Sequence, residues 1–174
     1  MRLSMVAILS VAAGFAVSKP APAQAPAPFD GGWMSCEEWQ GSEICEYKLL
    51  AQHGDRVCGL QSYFATNAYH EQRFVGTARG NMAHIDRICG DPGSETDSYC
   101  EGQAPNGAEK VGWEATDQTL YLCNGELIGA AGDGAVSCAG VEPGTGMPRA
   151  RSLGDHGPDD ADRAWLASCA AGAE

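Results

Sequence analysis

The side chains in this sequence with the capacity for chemistry are four histidines, eight cysteines and a scatter of carboxylates. His84 and Asp86 stand two residues apart, so on a strand they share a face, where an imidazole and a carboxylate make the pair that general-base catalysis uses. His70 precedes Glu71 and follows Tyr63, Phe64 and Tyr69, an aromatic and titratable patch suited to holding a ligand. The candidate binding residues are therefore Tyr63, Tyr69, His70, His84 and Asp86. A small exported hydrolase would draw on His84 or His70. His53 and His156 fall in turn-rich stretches and read as exposed loop residues. No nucleophile elbow, zinc-protease helix or phosphate-cradling glycine loop accompanies any of them, and the sequence points to no catalytic set, no metal site and no cofactor. Glu37-Glu38 reads as solvated charge, and Asp91, Glu95, Asp97 and Glu101 lack the spacing of a calcium loop.

The cysteines carry more information. Cys36, Cys45, Cys58, Cys89, Cys100, Cys123, Cys138 and Cys169 are even in number, contain no C-x-x-C and have no histidine at zinc-ligand spacing. They predict four disulfides and hence an oxidising compartment, with a connectivity that spacing alone does not select. A bridge from Cys89 to Cys100 is a reasonable expectation, because these two bracket part of a Gly-, Ser- and acid-rich loop over 90–108. The opening of the chain agrees with export. Arg2, an apolar run over 5–17 and a Pro/Ala stretch over 20–28 have the three-part layout of a secretory signal, with cleavage expected after Ala23. The run is shorter than the ~20 residues that a membrane span requires.

Beyond that point about 150 residues remain, enough for one domain with a real core. The whole chain has a net charge of −12, and the first 23 residues contain Arg2 and Lys19 but no acid, so the exported part is more acidic still. Nucleic acid and anionic lipid are disfavoured as partners, because both are held mainly by Lys and Arg. The same sign permits a basic protein partner, although a solvated acidic surface that maintains solubility is the commoner meaning of such charge.

These groups must be positioned mostly by strands. Residues 44–50 alternate, with Cys45, Tyr47 and Leu49 expected on a buried face and Glu46 and Lys48 in water, and they pair with 56–64. Cys58, Leu60 and Phe64 share the period, which directs both cysteines of the hairpin inward. A second hairpin joins 73–78 to 82–89 through Arg79-Gly80-Asn81, with Ala83, Ile85 and Cys89 on one face and His84, Asp86 and Ile88 on the other. Asn124-Gly125 marks a third hairpin, since both central positions of a type I′ turn need positive φ. A Gly/Pro tract over 140–157 reads as a surface linker. Pro158, Asp159, Asp160 and Asp162 then start a helix over 158–171 that Gly172 ends, and Ala161, Trp165 and Cys169 form its docking stripe.

Gly31-Gly32-Trp33 resembles the G-x-W that opens the first strand of lipocalin-like small barrels, and Thr116-Asp117 ahead of Leu120-Tyr121 resembles their Thr-Asp motif. The resemblance implies a barrel in which Trp33 plugs the floor beneath a ligand cup. It is similar in this to exported inhibitors of lysozymes and proteases. The reading is a signal over 1–23, a disulfide-linked β domain over 24–139, the linker and the docked helix. In class it is mainly β, a small antiparallel barrel or sandwich with a C-terminal α-helix. In function it is an exported, non-enzymatic binding module, either an enzyme inhibitor or a carrier of a small apolar ligand.

Overall fold

A computed structural model describes residues 27–65, 68–90, 98–100, 110–132, 134–154 and 157–173, with the backbone alone described for 65, 68, 69, 98 and 110. The expected signal, His156 and most of the acidic loop lie outside the described residues. Five long strands run as an antiparallel meander: β1 (Gly31–Trp39), β2 (Ser42–His53), β3 (Arg56–Ala65), β4 (Ala68–Arg79) and β5 (Met82–Gly90). Of three short strands, β6 (Ser98–Tyr99) and β8 (Glu114–Ala115) pair with β5, and β7 (Lys110–Val111) pairs with β6. The main path continues through β9 (Thr119–Cys123), β10 (Glu126–Ala130) and β11 (Met147–Pro148). It then returns to β1, where Trp33 bridges Arg149 and the Ala150 amide donates to the Gly32 carbonyl at 2.8 Å. The sheet is thus a nearly closed barrel, the architecture that leaves fewest unpaired edges.

The expected turns form. Asn124 and Gly125 have φ of 55° and 83° and join β9 to β10. The tract expected as a linker turns out to hold β11, with Met147 in the core, because closing the cylinder needs a last strand that hydropathy does not advertise.

The barrel interior is apolar at one end. Trp33, Leu50, Val57, Phe74, Ile85 and Leu120 pack there, and Phe29 joins the same cluster, fully buried. Arg149 caps this floor. Its guanidinium lies 4.4 Å from the Trp33 ring centroid and donates to the carbonyls of Pro28 and Asp30. Trp33 is thus fully buried at this end of the barrel.

Two face assignments are corrected. Cys45 and Tyr47 are buried as expected, but on the outside of the barrel, and Glu46 and Lys48 point into it. Cys58 is likewise buried outside, beneath the helix. Both faces of this sheet are covered, so alternation reveals two faces without saying which is the lumen. In β5 a register shift opposite Val75/Gly76 leaves Asp86 without a ladder partner, so Ile88 joins Ala83 and Ile85 in the core instead of sharing a face with His84. The extra residue of a bulge reverses the side-chain parity beyond it.

Helix α1 (Asp160–Ala170) packs on the outer face of β2 and β3. Asp159 caps it, accepting from the Asp162 amide at 2.9 Å. Its buried stripe is Asp162, Leu166, Cys169 and Ala170, with Trp165 half-buried and Ala161 exposed. The stripe is turned from the expected one because Asp162 is held inward by Arg73 at 3.1 Å. Around this contact the stacked indoles of Trp113 and Trp165 are flanked by two guanidinium groups, Arg87 over Trp113 and Arg73 over Trp165.

All eight cysteines are paired: Cys36–Cys45, Cys58–Cys169, Cys89–Cys100 and Cys123–Cys138. The Cys89–Cys100 expectation holds, and Cys58–Cys169 staples α1 to β3. Four bridges fit an oxidising environment. No helix among the described residues is long and apolar enough to cross a membrane.

Candidate binding site at the barrel mouth

Cross-strand register stacks the inward residues in tiers. Near the floor, Gly31, Leu50, Gly59, Phe74 and Ile88 follow one another around β1 to β5. One tier up come Trp33, Lys48, Gln61 and Gln72, and above them Ser35, Glu46, Tyr63 and His70. The lumen therefore changes from apolar to polar within two steps of each strand. Bulk sets the boundary: Phe74 fills the space over Gly59, where an added Cβ would lie 2.0 Å from its ring.

Above that boundary the barrel is open. Two adjoining spaces of about 420 and 320 Å³ share Glu46, Lys48 and Gly129 as walls. Glu46 forms an ion pair with Lys48, whose side chain is only 12% exposed. The Gln61 side-chain amide donates to the Gln72 oxygen at 2.6 Å. Glycines make the far wall. Glu126 draws in the amides of Gly144 and Gly146, and Gly146 passes so close to β10 that a Cβ would strike Ile128.

The structure brings some of the sequence candidates together and separates others. Tyr63 and His70 are ladder partners on the mouth tier, and Tyr63 is 40% exposed. Tyr69 pairs with Phe64 through the backbone, and its side chain is outside what is described. His84 and Asp86 are neighbours on the barrel exterior, half exposed. The His84 Nε2 lies 3.9 Å from Asp86 Oδ1, its Nδ1 lies 3.5 Å from the Thr119 hydroxyl, and Thr77 donates to the second Asp86 oxygen at 3.0 Å. The two candidate histidines therefore serve separate surfaces. Glu46, Lys48, Gln61 and Gln72 went unrecognised in the sequence, because polar residues alternating with apolar ones read as solvent-facing.

Among the described residues the grouping with metal-ligand proximity is Cys36, Glu43 and Cys45. Its two sulfurs are bonded to each other, so no thiolate remains there to bind an ion.

No family model matches this chain, and neither a curated protein nor a solved structure does so. Fold and site together define a class: a disulfide-linked, nearly closed antiparallel barrel with an apolar floor and a polar, open mouth.

Proposed function

We propose that the chain is an exported, non-enzymatic binding module that holds a small ligand in the mouth of its barrel. One observation carries this reading: an open space of about 420 Å³ lies against an ion pair in the lumen whose cation, Lys48, is nearly buried. Spaces of this size suit small ligands, and a few convergent polar groups fix their orientation. The four disulfides support export. The lining favours a polar occupant over the apolar one expected from barrel resemblance, because the apolar tiers are already filled by Phe74, Leu50 and Trp33. Amide-detected NMR with a library of small polar solutes should move resonances of Ser35, Lys48, Gln61 and Gly129 together. Lys48→Met should erase those changes while leaving the rest of the spectrum in place. Shifts confined to the exterior around His84 would contradict the assignment.

A second reading has its own support. The β2 to β3 ladder begins at Cys45, so the tip of the β1–β2 hairpin over 37–44 stands beyond it, clamped at its base by Cys36–Cys45. This tip presents Trp39, 61% exposed, with Glu37, Glu38 and Glu43 and no cation. A rigid aromatic anchor within acidic surroundings suits a basic protein partner, the inhibitor-like alternative.

A further inference from the structure

We infer that the mouth selects a small zwitterion, whose carboxylate meets Lys48 and whose ammonium meets Glu46 and Tyr63. The inference rests on the mouth being the ligand site and adds the chemistry of the occupant. An ammonium has three N–H donors and no acceptor. Lys48 gives one to Glu46, its hydrogen-bond partner among the described residues, which leaves two donors on a nearly buried cation that lines the open space. Glu46 has unused acceptor capacity of its own. It is also the more exposed of the two, at 45% against 12%, so negative charge lies toward the entrance and positive charge below.

The remaining walls carry no charge: they combine uncharged polar side chains such as Ser35, Gln61 and Thr119 with apolar ones such as Leu120, Leu127 and Ile128 and with glycine backbone. The lining is thus neutral overall but strongly dipolar along the barrel axis. A net anion would gain from Lys48 but face Glu46 and the −12 charge of the chain. A net cation would gain from Glu46 while weakening its pairing with Lys48. A zwitterion entering carboxylate first satisfies both groups and brings no net charge into a partly desolvated space, where unpaired charge is costly.

Tyr63 adds selectivity. It is the cross-strand partner of Glu46, and side chains at such positions lie about 4.5–5.5 Å apart at Cβ. A phenol ring beside a carboxylate favours an alkylated ammonium, held by cation–π attraction as well as charge. The preferred ligand class is therefore a compact betaine-like acid.

The test is calorimetric titration of the oxidised protein with glycine betaine and γ-butyrobetaine. The comparison ligands are 3,3-dimethylbutyrate, which has the shape of glycine betaine without its cation, tetramethylammonium, and glucose. At least one betaine should bind, and removing either ligand charge should weaken binding by about tenfold or more, as expected for loss of a charge-assisted contact. Lys48→Met should bring the betaine down to the level of tetramethylammonium, and Tyr63→Leu should narrow its advantage over γ-aminobutyrate. Near-ultraviolet circular dichroism of each variant separates lost contact from lost fold. Equal binding of dimethylbutyrate, or glucose moving the mouth resonances while both betaines do not, would overturn the zwitterion and leave the mouth as a site. No response at the mouth to any probe would remove both.

Discussion

Single residues decide how deep the mouth reaches. Phe74 lies over Gly59 because a hydrogen on β3 leaves room for the ring, and a methyl there would meet it at 2.0 Å. Gly59→Ala should cost about 1–3 kcal/mol through overpacking, and adding Phe74→Leu should recover a large part of it. Urea midpoints of the two single variants and the double variant measure the coupling, and purely additive losses would count against this account. Lys48 shows how far a residue can be read in isolation. Its strand alternates as expected, yet its side chain enters a lumen instead of bulk water. Tyr63 and His70 were legible as a patch, because aromatic and titratable types cluster in the sequence. Their tier beside Glu46 was not, since it depends on register across three strands.

At the level of elements, the disulfides differ in what they hold. Cys58–Cys169 closes 111 residues and ties α1 to β3, whereas Cys36–Cys45 closes 9 within one hairpin. Chain-entropy reasoning gives about 4–5 kcal/mol for the first loop and about 2–3 for the second. Replacing Cys58 and Cys169 with alanine should therefore lower the guanidinium midpoint more than replacing Cys36 and Cys45. An equal or reversed order would show that the α1 staple is dispensable. The helix was legible from Pro158, its early aspartates and Gly172, which act locally. Its rotation was not legible, because Arg73, 89 residues earlier in the chain, sets it by drawing Asp162 inward.

Across the whole molecule, charge separates the two proposed modes of binding. A mouth that takes a net-neutral ligand into partly buried contacts should respond weakly to salt. Docking of a cationic protein on the Trp39 hairpin should weaken steeply with ionic strength, since exposed charges are screened over about 8–10 Å in ordinary buffers. Raising sodium chloride from about 20 to about 300 mM should slow association with a basic protein partner. Trp39→Ala should weaken the same complex at every salt concentration. A complex indifferent to salt and to Trp39 would exclude the hairpin. The betaine isotherm should change little over the same range.

Composition and local order fixed what depends on neighbours in the chain: an even set of cysteines, hairpins at Gly80-Asn81 and Asn124-Gly125, a capped C-terminal helix and a mainly β class. Such features follow from backbone φ preferences, period-two alternation and sulfur chemistry, each confined to a few residues. The disulfide map beyond Cys89–Cys100, the closing strand within a Gly/Pro tract and the inward face of β2 were settled by tertiary structure. Barrel closure is a global condition. It assigns the lumen to one of two covered faces, and so turns Glu46 and Lys48 from apparent surface residues into the lining of the mouth.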